Sequence, residues 1–260
     1  MNNAFFVDTH CHLNTLEEMT GESFSSLLER METLPEAFIH VACSAEDFED
    51  ARMRSEEYGN IYATYGIHPE HAKTYETEKY FLDDYLSHPR CVGCGEFGLD
   101  YHYENYDRNL QIRVFEDQLS LALGTDKPLV LHLRDAEDDS IAILKNANIK
   151  DRKIHVHCFT GSLSFAENLL ALSDNIYIGF TGIITFKNAE NVRAAANSIP
   201  LDKMLLETDA PYLAPVPFRG MPANSSMIPC IAEKLASIKN VSLDTLYETI
   251  RENTKIVYGI

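Results

Sequence analysis

The amino-acid sequence predicts an α/β protein with one domain, a TIM-type (β/α)8 barrel whose chemically active side chains lie at the carboxyl rim of the strands. Three observations support this prediction. Eight apolar, β-branched runs recur along the 260 residues, amphipathic segments lie between them, and no low-complexity stretch or linker divides the chain. Because parallel strands need helical crossovers, eight such units favour a closed barrel. An open doubly wound sheet is the alternative, and the number of strands weighs against it.

The candidate strands are short runs rich in β-branched and aromatic residues, which pack well in a sheet. In chain order they cover residues 4–7, 37–42, 61–65, 91–95, 129–133, 154–158, 176–180 and 204–206. The candidate helices repeat their apolar residues at helical spacing, which places those residues on one face. They cover residues 23–33, 46–58, 77–87, 108–123, 136–147, 162–172, 189–198, 227–238 and 243–253.

The chain is strongly acidic, with 22 Lys and Arg residues against 40 Asp and Glu residues and a formal net charge of -18. A polyanion would meet long-range repulsion, which argues against a protein that wraps nucleic acid on a basic face. The N-terminus has no basic region and no apolar stretch long enough for a signal peptide, so we expect a cytoplasmic protein without a membrane partner. The six scattered cysteines are expected to be reduced thiols.

Side chains that can bind metal or substrate collect where the candidate strands end. His10 and His12 follow the first strand and share one face, because side chains in a strand alternate with a period of two. Later strand ends supply His68, Glu96, Asp100, His132, Arg134, His157 and Asp209. In a parallel barrel these positions share one rim, which is where active sites are built. We therefore expect distant parts of the sequence to meet there.

Six of these side chains form a set of four imidazoles and two carboxylates: His10, His12, Glu96, His132, His157 and Asp209. Such ligands suit zinc, manganese or another divalent ion, and six are too many for one ion that must leave a place for water. Two ions are therefore expected, and paired ions can activate water for hydrolysis. Glu96 lies on a middle strand between the two histidine pairs, so it is placed to bridge the ions.

Six short blocks together resemble the TatD-type metal-dependent deoxyribonucleases, a branch of the amidohydrolase-like barrels. The blocks are DTHCHL at 8–13, GIHP at 66–69, GEFGLDYH at 95–102, HLRDA at 132–136, HCFTG at 157–161 and LETDAPYL at 206–213. They follow the family order and cover essentially the whole chain. The resemblance implies two divalent ions (Zn, Mn or Mg) as cofactors and DNA as a transient substrate, in a monomer or weak homo-oligomer.

The resemblance also assigns roles to the six side chains of the set. It implies that Asp209 holds one ion together with His10 and His12, that the other two histidines hold the second ion, and that Glu96 bridges the two. By the same resemblance Asp209 is catalytic, as the base that orients or deprotonates the attacking water.

Three further side chains, His68, Arg134 and Tyr212, are candidates for contacting a substrate phosphate or leaving group. Arg134 is favoured because a guanidinium group forks onto phosphate oxygens. A structural salt bridge to Asp135 or Glu207 is the alternative role for this arginine.

Two places depart from the family pattern. Glu70 follows Gly-Ile-His-Pro where a histidine is frequent, and residues 219–226 differ from the usual Arg-Gly segment with Asn-Glu-Pro. Both are expected in rim loops away from the metal ligands, where they would affect substrate preference.

Three functions remain open at this point. The first is hydrolysis of phosphodiester bonds in DNA, with single strands favoured because the rim offers few basic residues. The second is hydrolysis of an ester or amide, such as deacylation of a mischarged transfer RNA or opening of a small cyclic amide, because the same activated water could attack a carbonyl group. The third is a barrel that binds metal only for structure or interaction, which an open, water-bearing site argues against.

Overall fold

A barrel of eight parallel strands forms the centre of residues 6–260, the part of the chain that the computed structural model describes. The strands are β1 (Val7–Cys11), β2 (Ala37–Ala42), β3 (Ile61–Tyr65), β4 (Cys91–Asp100), β5 (Leu129–Arg134), β6 (Ile154–Val156), β7 (Ile176–Phe180) and β8 (Met204–Leu206). Each strand pairs with the next in chain order. Beyond β8, His12 N donates to Ala210 O at 2.7 Å and Asp209 N donates to His10 O at 2.9 Å, which joins the last strand to the first. The predicted barrel is confirmed.

Helices alternate with the strands and form the outer layer. They are α1 (Leu13–Thr20), α2 (Phe24–Arg30), α3 (Ala45–Glu57), α4 (Tyr75–Leu86), α5 (Arg108–Leu123), α6 (Glu137–Asn146), α7 (Leu163–Leu172), α8 (Glu190–Ser198), α9 (Ile228–Lys239) and α10 (Leu243–Tyr258). The sequence does not predict α1, which buries only Leu13 and Leu16 and therefore gives little periodic signal. None of the helices in residues 6–260 is long and apolar enough to span a membrane.

Two strands extend further into the polar rim than the hydrophobic pattern predicts. β1 begins at Val7 and runs to Cys11, whereas the prediction covers residues 4–7, of which 4 and 5 lie outside the described residues. β4 continues to Asp100, beyond its predicted end at 95. Every residue of both strands is buried, including the polar ones. The hydrophobic pattern ends early because the rim side chains are polar yet are buried against one another.

The end of α10 closes the bottom of the barrel. Tyr258 packs there with the interior side chains of Ile39 and Leu205. Its hydroxyl oxygen lies 2.6 Å from His155 Nδ1, and His155 Nε2 lies 2.8 Å from Glu207 Oε2. Both His155 and Glu207 are fully buried. A chain of polar side chains therefore runs through the barrel interior from the last helix towards the rim.

Replacement of Gly98 by alanine tests how closely β4 approaches β5. Gly98 pairs with His132 in the sheet, has a φ of +149°, and a Cβ there would lie 2.1 Å from the His132 carbonyl oxygen. We expect Gly98→Ala to lower the free energy of unfolding by more than about 2 kcal/mol, because the backbone conformation is essentially restricted to glycine and the strands would have to separate.

Urea unfolding followed by circular dichroism measures this effect. The matched control is Gly59→Ala, where a Cβ would meet nothing within 4 Å, and we expect a change of less than about 0.5 kcal/mol. Equal stability of the two variants would contradict the close approach of the strands.

Candidate metal centre

The six side chains expected to bind metal converge at the carboxyl rim of the barrel. His10 lies in β1, Glu96 in β4 and His132 in β5, while His157 follows β6 directly. Asp209, beyond β8, has a φ of 58°, a left-handed conformation that aspartate tolerates better than most residues. The structure thus brings together residues from both ends of the chain, as the barrel topology predicts.

Glu96 lies at the middle of the cluster, and its two oxygens face different groups of nitrogens. Its Oε2 is 3.1 Å from His10 Nε2 and 3.9 Å from His12 Nε2. Its Oε1 is 2.6 Å from His132 Nδ1 and 2.5 Å from His157 Nε2. One carboxylate therefore reaches both groups, which is the arrangement required of a bridging ligand.

Asp209 completes the first of these groups. Its Oδ1 lies 3.3 Å from His12 Nε2 and 3.8 Å from His10 Nε2. His157 lies between the two groups, because its ring stacks on His10 with centroids 3.9 Å apart and its ligand atom is within 4.8 Å of those of His10 and Asp209 as well as those of the second group. The two groups therefore share a boundary formed by Glu96 and His157.

Neighbouring acceptors orient two of the imidazole rings. His12 Nδ1 is 3.1 Å from the carbonyl oxygen of Val41, so its N–H donates there and Nε2 is the ring nitrogen that faces the cluster. His132 has the opposite orientation, with Nε2 at 2.8 Å from Asp100 Oδ2 and Nδ1 towards Glu96. In metal sites such an outer partner fixes which ring nitrogen can act as a ligand.

The charges of the cluster suit a divalent cation. Burial raises the pKa of Glu96, but the charges of His157 and His10 outweigh it and hold that pKa well below the usual range. Burial likewise opposes ionisation of Asp209, yet the hydrogen bond with His12 holds its pKa below the ordinary value. Two ionised, buried carboxylates facing imidazole nitrogens form a donor set that fits zinc, manganese or a similar ion.

Asp8 is a functional residue that sequence reasoning missed. It is fully buried, and it accepts hydrogen bonds from Thr208 N at 2.9 Å, Thr208 Oγ1 at 2.6 Å and Ser225 Oγ at 2.6 Å. These bonds hold the segment that carries Asp209. The signal was present in the first block, where Asp8 is a charged residue in a buried strand, and such a residue needs buried partners.

Residues 219–226 make one contact that the sequence does not predict. We expected this segment in a rim loop, touching no predicted ligand. Ser225 is buried and donates a hydrogen bond to Asp8, the residue that holds the Asp209 segment. The departure from the family pattern therefore reaches the support of the candidate metal ligands. Glu70 does line the pocket above them.

The cluster opens into a pocket of about 680 Å³ whose walls include all three candidate substrate contacts. His68 Nε2 lies 3.6 Å from Glu96 Oε1. Tyr212 is 47% exposed and its ring lies 6.2 Å from that of His12, so its face is open to a substrate. Arg134 also lines the pocket, with Asp100 as its nearest carboxylate at 3.8 Å.

The salt bridges of Arg134 with Asp135 and Glu207 are not formed, but its Nη1 lies 3.8 Å from Asp100 Oδ2, so a structural salt bridge exists with a third carboxylate. Asp135 Oδ2 lies 2.9 Å from His102 Nδ1, and Glu207 is buried beside His155 inside the barrel. The side chain of Arg134 is 37% exposed. Its guanidinium group is therefore available to an anion in the pocket.

The mouth of the pocket is acidic. Its walls include Glu18, Glu46, Asp47 and Glu70, and Arg134 is the one lysine or arginine among the described residues that line it. A substrate with many negative charges would be repelled except on the side of Arg134.

Comparisons with known proteins identify the family of this chain. A sequence profile of the family described as "TatD related DNase" matches residues 7–259. The metal-dependent hydrolase YabD of Bacillus subtilis is 34% identical over 255 residues, covering 97% of this chain and 98% of its own. The metal-dependent hydrolase YcfH of Escherichia coli K12 is 34% identical over 261 residues, covering 98% of this chain and 96% of its own.

Two further matches add a named activity and a fold. The human 3'-5' RNA nuclease TATDN2 is 34% identical over 275 residues, which cover 98% of this chain and 35% of the human protein. The crystal structure of YJJV, a TatD homologue from Escherichia coli K12, superposes with a TM-score of 0.87 at 28% identity and covers 100% of both chains.

Metal binding should release protons and weaken as the pH falls. Burial lowers the pKa of His12 and His132, but carboxylate partners outweigh it, Asp209 for the first and Asp100 and Glu96 for the second, and raise these pKa values to about 9 and about 10. Both rings therefore carry a proton on each nitrogen at neutral pH in the metal-free protein, and an ion must displace the proton that faces the cluster. Below pH 9 we expect affinity to fall roughly tenfold per pH unit for each proton displaced.

Isothermal titration of the metal-stripped protein with Mn²⁺ or Zn²⁺ measures the released protons. The titration is run at pH 7 in two buffers with different ionisation enthalpies, so that the difference in heat counts the protons. Release of about one proton per ion is expected. Binding that is independent of pH between 6 and 8 would contradict this description of the histidines.

Proposed function

Because this chain belongs to the TatD family of metal-dependent hydrolases, we propose that it is a deoxyribonuclease that hydrolyses phosphodiester bonds in single-stranded DNA. The observation that carries the proposal is the position of Glu96, whose two oxygens face two separate groups of nitrogens. That arrangement suits a centre with two ions, which is well adapted to displacement at phosphorus. The nearby guanidinium group of Arg134 supplies the recognition of phosphate.

Two divalent ions bound at this centre would lower the pKa of a water molecule towards neutrality and offset negative charge on the phosphate. The protein's own groups do the rest. Glu96 reaches both groups of nitrogens and so fixes their spacing. The hydrogen bond with His12 holds the pKa of Asp209 below its ordinary value, so this carboxylate is ionised and accepts the proton of the attacking water.

The pocket walls determine how a strand would lie. Arg134 donates to the non-bridging phosphate oxygens. The exposed ring of Tyr212, which lines the same pocket, offers a face on which a base can stack. One arginine cannot neutralise several phosphates, and the acidic mouth repels the rest, so a flexible single strand that enters by one end is favoured over a rigid duplex.

The nuclease class is supported by the human relative named as a 3'-5' RNA nuclease. That name describes the human protein, and RNA is therefore an alternative substrate for the same chemistry here. We further propose that the protein meets DNA only transiently, as a monomer or weak homo-oligomer in the cytoplasm, since the acidic surface that limits the site also limits lasting contact with nucleic acid.

A second candidate is hydrolysis of an ester or amide bond in a small neutral or cationic molecule, or at an acyl linkage of a transfer RNA. The acidic mouth favours it, because Glu18, Glu46 and Glu70 would attract a positively charged group. The same activated water could attack a carbonyl carbon.

A direct comparison of substrates separates the two candidates. Metal-stripped protein is resupplied with Mg²⁺, Mn²⁺ or Zn²⁺ and assayed on a labelled single-stranded oligonucleotide, its duplex, an RNA of the same sequence and an aminoacylated transfer RNA. We expect metal-dependent release of nucleotides from single-stranded DNA, faster than from the duplex. Cleavage of the acyl linkage with no release of nucleotides would overturn the deoxyribonuclease proposal.

Asp209→Asn should lower kcat on single-stranded DNA by at least about 100-fold, because an amide can neither accept the proton nor carry the ligand charge. The matched control is Asp135→Asn. Asp135 has a similar left-handed φ, 54° against 58°, but its exposed carboxylate pairs with His102. Steady-state kinetics that gave both variants the same loss would refute the role of Asp209.

Arg134→Ala should lower kcat/KM on single-stranded DNA by about 10- to 100-fold, since a charge-assisted hydrogen bond contributes about 1.5–3 kcal/mol. Arg134→Lys should recover part of the loss. The control is Arg30→Ala, a change at an exposed arginine in α2 that pairs with Glu22 outside the pocket. No change on DNA in Arg134→Ala would exclude this arginine from phosphate binding.

A further inference from the structure

Asp100 is a buried carboxylate at the end of β4 that the sequence analysis places at the rim without a role. It is 1% exposed. Its Oδ2 lies 2.8 Å from His132 Nε2, and its Oδ1 accepts a hydrogen bond from His102 N at 2.9 Å. Its own backbone N–H donates to Gln111 Oε1 at 2.9 Å, which ties the end of β4 to α5. Both carboxylate oxygens therefore have a fixed donor, and the backbone beneath them is anchored.

The contact with His132 has a chemical consequence for the metal centre. A neutral imidazole carries one N–H, and a carboxylate can only accept, so once an ion occupies the Nδ1 side the remaining N–H lies on Nε2 and donates to Asp100. The unprotonated Nδ1 then points at Glu96 Oε1, 2.6 Å away, and at His157 Nε2, 3.0 Å away. Nδ1 is the only ring nitrogen of His132 directed at those two groups, so the ligand form of the ring depends on Asp100.

We propose that Asp100 is the positioning residue of the second ion: it holds His132 in the tautomer and orientation in which Nδ1 is a ligand. The inference rests on the two-ion centre of the proposed function. It adds the residue that controls binding of the second ion. Binding of the first ion does not depend on Asp100 in this way, because His12 donates to the backbone carbonyl of Val41. Loss of Asp100 should therefore affect the two ions unequally.

Replacement of Asp100 by asparagine tests this role. An amide has one acceptor and one donor end, whereas the site presents two N–H donors, from His102 N and His132 Nε2. In either orientation of the amide, one N–H faces the NH₂ group. If the N–H that faces the NH₂ group is the one on His132 Nε2, the ring must move its proton to Nδ1 or turn away. Either change removes Nδ1 as a ligand atom.

The experiment is a Zn²⁺ titration of metal-stripped wild-type protein and Asp100→Asn against a competing chelator, with the number of bound ions and each affinity as readouts. We expect the first ion to bind with unchanged affinity and the second ion to bind about 10- to 100-fold more weakly, the usual effect of removing an outer hydrogen-bond partner. The control is Glu56→Gln, which disrupts a second carboxylate–histidine pair, with His88 Nε2 at 3.0 Å, outside the pocket. It should leave both affinities unchanged.

Three results would overturn the proposal. Equal affinities in Asp100→Asn, in Asp100→Ala and in wild type would show that His132 needs no partner, because alanine offers no acceptor whereas the asparagine amide can turn its oxygen towards His132. Equal weakening of both ions would show a general structural effect. If wild-type protein binds a third ion that Asp100→Asn does not bind, Asp100 is itself a ligand. Its partners would be His68 and His132, whose ligand atoms lie within 4.8 Å of its own.

A second measurement uses wild-type protein alone, so it tests the proposal even if Asp100→Asn does not fold. Nitrogen-15 spectra of the histidine rings in Zn²⁺-loaded wild-type protein should show His132 with a protonated Nε2 and a metal-bound Nδ1, and the opposite pattern would overturn the proposal. Neither measurement uses hydrolysis, so a protein that loads two ions as described but cleaves no DNA would refute the proposed function while leaving this inference intact.

Discussion

The buried carboxylate of Glu96 is the interaction on which the rest of the site depends. A carboxylate that is 2% exposed would ordinarily be driven towards its neutral form. Here imidazole nitrogens lie within 2.5–3.1 Å of its oxygens, on two sides. The strands that carry these nitrogens must therefore meet around one point, and only a closed ring of strands brings them there. Fold and chemistry thus impose the same requirement, that β1, β5 and β6 end close to β4.

Outer hydrogen bonds convert this convergence into a defined set of ligand atoms. Val41 fixes His12 and Asp100 fixes His132, each through the ring nitrogen that points away from the cluster. Asp8 performs the corresponding task for a carboxylate, because it holds the Thr208 segment beside Asp209. The ligands come from loops and strand ends, which are mobile in general, and these buried contacts remove that mobility.

Most of the fold could be predicted from the sequence, because eight apolar runs with helical segments between them leave few alternatives. The six candidate ligands could also be predicted, since histidine and carboxylate at strand ends share one rim. The partners of these residues could not. Asp8 and Ser225 bond across 217 positions, and Asp100 meets His132 through strand pairing. Such contacts depend on register and backbone direction, about which hydrophobic periodicity carries no information. The same periodicity also predicts ends for β1 and β4 that are too early.

The hydrogen bond from Asp209 N to His10 O has a consequence for how the candidate metal centre is assembled. These two residues lie at opposite ends of the barrel sequence, yet they occupy adjacent positions in the finished ring. A chain that has folded only its first seven strands would hold the imidazoles of the cluster but not the carboxylate of Asp209. The candidate metal centre is therefore complete only when the last strand docks against the first.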